Sequence, residues 1–471
     1  MALRRIYKLK TPDGAVQTVE AEKSEMPILP DERHLTYGKM SVIQAAAAIA
    51  PGSLSSGFAI GLLLEPIYAL VAMLFATVGV AMYPWLNSII YTRYGAEQTY
   101  MGKAFFGANG RKVAVGGFFN LLTWGWQCLP VIMIGRITAK LLKVVGCTGL
   151  ITNSTLWSLL FMCVGLIICY RGIHVISKLS DKFIPVLALM FIFMVIVIMK
   201  NYGIHDTLFT TVAGSTTRIN YMKAVEAGLG IGLSWGFVMS SAAKSCMKES
   251  SSFYANVTGY GFGTLLAMIP GMLAAAVTGM LDPVDGLMEI GGPAFGILFL
   301  SILFLCNLFC LPLNPYFQSC TLVAMFPKHI TWKRAVLINL VLTPFIIFPA
   351  IYDHLGSALS IFGTIGGGII CIWVTDSLMR RFKYDMWMLY HTGEKDPYYY
   401  YRGFNLCAWF CIALCFTLSF MIANPLSGSI HIPVIYNLFG QTLPACVTSS
   451  VLYVILFKLF IAPKQKRCES Y

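Results

Sequence analysis

Charged side chains are scarce in this chain. Asp, Glu, Lys and Arg make up 12% of the 471 residues, whereas a soluble domain carries about 25%. Hydrophobic residues account for 57% of the sequence, and the mean hydropathy is +0.71. A composition this apolar excludes a soluble enzyme and predicts an all-α integral membrane protein that crosses the bilayer several times.

Sequence signals for metal, nucleotide or cofactor chemistry are also missing. The 7 histidines follow no ligand spacing, and the 14 cysteines form no paired Cys-x-x-Cys arrangement, so a zinc site is not expected. Gly228, Gly230 and Gly232 alternate, but no strand precedes them, so a dinucleotide loop is not supported. We therefore predict that the protein is not an enzyme and has no cofactor. Nucleic acid is not an expected partner, because no basic patch is interleaved with stacking aromatics.

Long hydrophobic segments make up most of the sequence. Each is about 20 residues long, the length that a helix needs to cross the hydrocarbon core. We predict twelve transmembrane helices, at 40–64, 67–91, 113–141, 152–171, 176–199, 224–243, 254–281, 294–325, 334–352, 356–377, 404–423 and 434–460.

Basic residues indicate the orientation of these segments. Most of the 34 Lys and Arg residues fall in alternate loops and at the two ends, which places both termini in the cytoplasm. We therefore predict a cytoplasmic N-terminal segment over 1–37, a transporter domain over 38–461 and a cytoplasmic tail over 462–471. The predicted location is the plasma or inner membrane of the cell, with the lipid bilayer as a partner.

Two of the predicted helices are interrupted near their middle. The first contains Pro51–Gly57, and the sixth contains Gly228–Gly236. These segments are five helices apart, so they occupy matching places if a five-helix unit is repeated in inverted orientation. Interrupted helices at matching places indicate a midplane binding site in secondary transporters. The competing interpretation is close packing of helices at the glycines.

The third predicted helix carries Asn120, Trp124 and Gln127, spaced i, i+4 and i+7 on one helical face. Lipid offers an amide no partner, so this face is predicted to line a cavity within the protein. A flat aromatic and two amides suit a small planar solute with hydrogen-bonding edges. Trp126 lies on another face and is predicted to pack or to face lipid, while a core role for Trp124 stays open.

The sixth and eighth predicted helices supply the other substrate candidates. Ser234 and Trp235 lie in the glycine-rich interruption, where Trp235 is a second aromatic wall. Asn314 and Gln318 lie in an otherwise apolar eighth helix. An interface role for Trp235 and an interhelical hydrogen bond for Asn314 are the competing interpretations.

Candidates for cation coupling are few. Ser53 and Ser55 lie in the first interruption, and Glu226 lies near the outer start of the sixth helix. A titratable group near the path suits a proton-coupled carrier, although a solvated position at the rim is the simpler interpretation of Glu226. Lys244, just after the sixth helix, is predicted to extend toward the cytoplasmic interface.

A run of residues near the cytoplasmic end of the tenth helix is the most specific feature of the sequence. It comprises Asp376, Arg380-Arg381, Tyr384-Asp385, Leu389-Tyr390, Tyr399–Asn405 and Ala408-Trp409. In this order the run resembles the nucleobase:cation symporter family, the purine/cytosine permeases that include hydantoin transporters. Weaker resemblances are Thr123–Gln127, similar to the family's Trp-x-Gly-x-Gln, and Asn314.

This resemblance implies a LeuT-type fold, with ten helices in two inverted halves and two further C-terminal helices. It implies uptake of a planar nitrogen heterocycle coupled to sodium or protons, with Gln127 and Asn314 at the edge of the ring and Trp235 stacked on it. The sequence departs from the family at Thr123, where the family has tryptophan. It also has no Ser or Thr between Ser301 and Ser319. Sodium needs oxygen ligands, so we expect protons rather than sodium.

Other functions stay open at this point. An amino-acid transporter of the same fold predicts a substrate carboxylate held by backbone amides near Gly52–Gly57. A non-transporting receptor or a channel is the alternative of another class, although a channel needs polar stripes on several helices. The particular heterocycle and the oligomeric state do not follow from the sequence.

Overall fold

The protein is described by a computed structural model that covers residues 26–347, 354–391, 393–394, 396–463 and 465. The longer helices, in chain order, are α1 (Tyr37–Ala48), α2 (Pro51–Gly61), α3 (Pro66–Tyr94), α4 (Gly110–Val144), α5 (Ser154–Tyr170), α6 (Ile173–Tyr202), α7 (Arg218–Ser234), α8 (Glu249–Thr278), α9 (Gly292–Cys310), α10 (Leu313–Met325), α11 (Leu355–Met379), α12 (Leu406–Ile422) and α13 (Thr442–Ile461).

Shorter elements connect these helices. A two-stranded antiparallel hairpin, β1 (Ala423–Asn424) and β2 (Ser429–Ile430), follows α12. The short helices are Gln98–Met101, Lys103–Phe106, Ile204–Phe209, Ser240–Ala243, Pro283–Ile290, Trp332–Ile338, Thr343–Ile347, Met386–Tyr390 and Pro433–Phe439.

Within the described residues, 7 helices are long and apolar enough to cross a membrane, and 8 if the bent pair α1–α2 counts as one span. Helices α5 and α12 are apolar but shorter. The protein is therefore a helical, multi-pass membrane protein, whereas the count of twelve stays a prediction. The ninth predicted span, 334–352, continues into residues outside the described ranges. Most of the predicted N-terminal segment 1–37 and most of the predicted tail 462–471 also lie outside these ranges.

The first predicted interruption is present, but its position differs. Pro51–Gly57 is helical, and the chain bends by 54° just before it, between α1 and α2. Ala50 is extended, with φ −109° and ψ 157°, because a residue that precedes proline is disfavoured in the helical region. Pro51 lacks an N–H and therefore suits the first turn of a new helix. The prediction that residues 51–57 themselves are unwound is wrong.

The second predicted interruption is also displaced. The glycine run from Gly228 is helical as far as Ser234, and the α-helix gives way to a 3₁₀ turn only at Trp235–Phe237. The glycines instead permit close helix packing, because a Cβ on Gly230 would collide with the Leu359 carbonyl of α11. Close packing was the competing interpretation, and it holds for the glycines.

Both described ends of the chain lie on one face of the molecule. Arg33 near the start donates to the Arg93 carbonyl at 3.2 Å, and Arg93 donates to the Phe382 carbonyl at 2.8 Å. Near the other end, Arg380 donates to Gln465 at 2.7 Å. We call this side the terminal face and the other side the opposite face, where the β1–β2 hairpin lies.

Candidate substrate-binding site

A small central cavity of about 60 Å³ lies where the two helix breaks meet. Its walls come from the α1–α2 break, α4, the end of α7, α8 and the α9–α10 junction. The residues that line it are Ala47, Ala50, Gly52, Ser53, Thr123, Trp126, Pro130, Ile231, Ser234, Trp235, Val238, Tyr260, Cys310, Leu313 and Asn314.

Helix α4 turns a different face to this cavity from the one that the sequence predicts. Thr123, Trp126 and Pro130 line the cavity, whereas Trp124 lines a separate cavity beside Phe362. The rotation of α4 is set by packing, because a Cβ on Gly125 would collide with the Phe362 ring. Successive residues on a helix point about 100° apart, so the predicted face with Asn120, Trp124 and Gln127 points away from the central cavity.

Trp126 is therefore the tryptophan of α4 that reaches the central cavity. Its indole Nε1 donates to Ser234 Oγ of α7 at 3.1 Å, and its ring lies 5.4 Å from the Phe362 ring. Trp126 packs against Phe362, in agreement with the packing alternative of its prediction, but it also lines the central cavity, which was not predicted. Ser234, which was predicted at the site, is present in the lining and is already bonded to this indole.

Gln127 is buried but does not line the cavity. Its Nε2 donates to the Leu311 carbonyl at the α9–α10 junction, at 2.8 Å. In an unbroken helix the N–H of residue 315 would pair with this carbonyl, but Pro315 has none. Gln127 therefore replaces a backbone donor and ties α4 to the α9–α10 junction. A role in reading the substrate stays a prediction.

This geometry predicts the effect of Gln127→Ala. The Leu311 carbonyl loses its donor in a buried site, so we expect a loss of about 1–3 kcal/mol of stability together with reduced uptake. Asn120→Ala is the control, because the Asn120 side-chain amide donates within its own helix, to the Gly116 carbonyl at 2.9 Å. Melting of the purified variants checks this, and an unchanged melting temperature for Gln127→Ala would contradict the assigned role.

Asn120 and Gln318 lie beside each other outside the cavity. The Gln318 Nε2 donates to the backbone carbonyl of Asn120 at 3.5 Å, so this pair joins α4 to α10. Both residues are buried. The structure thus brings these two predicted residues together at a contact between helices. This contact is separate from the cavity that Trp126, Trp235 and Asn314 line.

Trp235 lines the cavity as predicted, and its surroundings are aromatic. Its ring stacks on Tyr260 of α8, with ring centroids 4.2 Å apart and an angle of 8° between the planes. Its Nε1 donates to Asn256 Oδ1 at 3.3 Å. Trp235 therefore has a fixed orientation, and together with Tyr260 it forms one wall of the cavity.

Asn314 occupies the start of α10 and lines the cavity. Among the described residues, no hydrogen bond engages its side-chain amide, although it is partly buried. An amide in this position has two donors and an acceptor for a ligand. Asn314 is thus the predicted residue whose placement agrees most closely with a binding role.

The three cation candidates do not meet at one point. Ser53 lines the cavity, whereas Ser55 Oγ donates to the Pro51 carbonyl within α2, at 2.9 Å. Glu226 is 2% exposed and accepts bonds from the backbone N–H groups of Gln441 and Thr442 at 2.8 and 3.0 Å. The interpretation of Glu226 as a solvated rim residue is wrong, because its carboxylate caps the start of α13.

A buried ion pair near the terminal face was missed by the sequence analysis. Lys244 Nζ lies 2.8 Å from Glu97 Oε2, and Ser240 donates to Glu97 Oε1 at 2.7 Å. Lys244 is only 4% exposed, so its predicted extension toward the interface is wrong. Glu97 follows α3, far along the chain, and no local pattern connects it with Lys244. Within the described ranges, no group of three or more His, Cys, Asp or Glu residues is arranged for a metal.

Known proteins agree with this architecture. A family described as "Permease for cytosine/purines, uracil, thiamine, allantoin" matches residues 43–442. A hydantoin permease from Microbacterium maritypicum is 24% identical over 403 residues, which cover 80% of this chain and 78% of that protein.

Solved structures are similar over nearly the whole chain. Mhp1, a nucleobase-cation-symport-1 family transporter, in a closed conformation with bromovinylhydantoin bound, has a TM-score of 0.75 at 18% identity and covers 93% of this chain and 95% of its own. Mhp1 in its inward-facing conformation has a TM-score of 0.77 at 18% identity and covers 94% of this chain and 97% of its own. MhsT in complex with L-phenylalanine has a TM-score of 0.55 at 16% identity and covers 90% of this chain and 99% of its own.

The likeness to these structures establishes the transporter fold, and the family match covers most of the chain. The protein is thus a permease and not an enzyme. It belongs to the nucleobase:cation symporter family, the permeases for cytosine and purines, uracil, thiamine and allantoin.

Proposed function

We propose that this protein imports a purine, a pyrimidine or a related planar nitrogen heterocycle by cation symport with alternating access. One observation carries the proposal. Trp126 of α4, Trp235 at the end of α7 and the Asn314 amide of α10 line a single cavity at the helix breaks. Aromatic faces hold a flat ring, and an amide pairs with its N–H and carbonyl edges.

The small volume of the central cavity also supports alternating access. Its volume of about 60 Å³ is below the roughly 300 Å³ at which small-molecule sites begin. A heterocycle therefore enters only after the surrounding helices separate. On the side toward the opposite face, the contact between Gly230 and Leu359 joins α7 to α11, and this contact has to open for entry.

The aromatic wall on α4 lies one turn away from the position that the family resemblance implies. Thr123 occupies the family's tryptophan position, and Trp126 is three residues further on, about 4.5 Å along the helix axis. We infer that the heterocycle stacks beside Trp126 and that Thr123 contributes a hydroxyl to the cavity wall. Thr123 Oγ1 donates to the Phe119 carbonyl of its own helix at 2.7 Å, which leaves its oxygen able to accept a bond.

Competition for uptake tests the substrate class. Cells that express the full chain are given radiolabelled adenine, cytosine, uracil, hydantoin or leucine, with each of the unlabelled compounds as competitor. Uptake of at least one heterocycle, unaffected by leucine, supports the proposal. Uptake of leucine alone supports an amino-acid transporter, for which Gly52 and Ser53 at the start of α2 line the cavity.

We propose that protons, rather than sodium, drive uptake. Ser and Thr are absent from 302–318, so a sodium ion would depend on backbone carbonyls at the α1–α2 break. Ser53, Ser55 and Glu226 are the residues that we propose for coupling. A protonophore is expected to abolish accumulation, and replacement of sodium by choline is expected to leave it unchanged. Accumulation that requires sodium and resists the protonophore would overturn this assignment.

The terminal face is proposed to be cytoplasmic, in the plasma or inner membrane. Arg33, Arg93, Arg380 and Lys103 lie at this face, and loops rich in Arg and Lys stay in the cytoplasm. Burial lowers the pKa of Lys103, while Asp396 at 3.2 Å opposes that shift. The opposite face is then the side from which the heterocycle enters.

A further inference from the structure

A larger cavity lies toward the opposite face, separate from the central one. Its volume is about 350 Å³, which is within the range of small-molecule sites. Helices α2, α7 and α11 form its walls, together with the β1–β2 hairpin and the segment that precedes α13. We call it the opposite-face cavity.

We propose that the opposite-face cavity is a second binding site for the transported heterocycle, occupied before the ring reaches the central cavity. This inference rests on the proposed function. Glu226 in its wall and Ser234 in the central cavity lie eight residues apart on α7, about 12 Å along the helix axis. The contact of Gly230 with Leu359 lies between these two levels.

The polar groups of this cavity define the ligand chemistry. The Asn424 carbonyl oxygen Oδ1 is engaged by the N–H of Leu426 at 2.9 Å, so its Nδ2 is the group left to donate. The Gln441 Nε2 donates to Ser360 at 2.8 Å, so its Oε1 is left to accept. Lys223 is exposed at the cavity and adds a second donor.

Two donors and one acceptor match the edge of an imide or ureide ring, which carries carbonyl oxygens on either side of an N–H. The carboxylate of Glu226 does not compete for these donors, because Gln441 and Thr442 already bind it. Leu62, Leu63 and Leu281 supply apolar surface for the faces of such a ring.

Equilibrium binding to the purified full chain tests the inference. The probes are radiolabelled adenine, cytosine, uracil and hydantoin, each measured to saturation. We expect two molecules bound per chain for the compound that is transported, and one molecule in both Asn314→Ala and Lys223→Ala. Lys223→Ala is also expected to raise the concentration for half-maximal uptake by roughly ten-fold with the maximal rate retained.

Lys200→Ala is the matched control, because Lys200 is an exposed lysine at the end of α6 and lies outside this cavity. It is expected to bind two molecules, as the unmodified chain does. A transported compound that binds at one site per chain overturns the second site and leaves the proposed function standing. Absence of both uptake and binding for every probe overturns the two proposals together.

Discussion

Replacing Asn314 with alanine is expected to lower uptake of the transported heterocycle by roughly ten- to hundred-fold. Its amide lines the central cavity and has no hydrogen bond to another described residue, so its donors and acceptor are available to the ring. Removing a hydrogen-bond partner from a buried polar ligand costs about 1–3 kcal/mol. Because the amide makes no hydrogen bond within the described ranges, melting of the purified variant should be nearly unchanged.

The control for this variant is Asn307→Ala. Asn307 is another buried asparagine, in α9, and its Nδ2 donates to the Leu303 carbonyl of the same helix at 3.0 Å. It does not line the central cavity. Asn307→Ala should therefore transport normally. Equal uptake by the two variants, with both proteins intact in the membrane, would remove Asn314 from the site.

Replacing Glu97 with glutamine is expected to destabilise the protein by about 3–5 kcal/mol. The Lys244 ammonium lies 2.8 Å from the Glu97 carboxylate, and their side chains are 5% and 0% exposed. Glu97→Gln removes the carboxylate that faces the buried Lys244 ammonium, and removal of one partner of a buried ion pair is strongly destabilising. The double variant Glu97→Gln/Lys244→Met removes both charges, so it should recover most of the lost stability.

Thermal melting of the purified variants measures these effects. Lys140→Met is the matched control, because the Lys140–Asp285 pair is similarly close, at 2.7 Å, but its side chains are 35% and 52% exposed. Exposed pairs contribute about 0–1 kcal/mol, so this control should melt as the unmodified protein does. A double variant no more stable than Glu97→Gln would contradict the charge explanation and assign the loss to packing.

Trp124 and Trp126 illustrate where sequence reasoning reached its limit. Helical spacing predicted that the face of α4 with Trp124 lines the central cavity, but Trp126 lines it instead. The choice of face depended on how α4 rotates against α11, and the contact of Gly125 with Phe362 sets that rotation. The partner residue is more than two hundred positions away, so no periodicity in α4 contains this information.

Gln127 shows the same limit in another form. Its burial and its polarity were readable from an amide within an apolar helix. Its partner, the Leu311 carbonyl, needs a donor only because Pro315 interrupts the hydrogen-bond ladder of α10. The proline was visible in the sequence, but the meeting of these two helices was not.

Composition, hydrophobic segment length and the residue order over 375–409 were enough to identify a membrane transporter of this family, because these properties follow from the bilayer and from local sequence. The sequence also predicted that two helices are interrupted, and it identified Trp235 and Asn314 as candidates for substrate binding. The tertiary structure alone decided which α4 tryptophan reaches the cavity and that Glu97 pairs with Lys244. Each of these depends on contacts between distant segments, whose geometry is set by side-chain packing rather than by the local pattern.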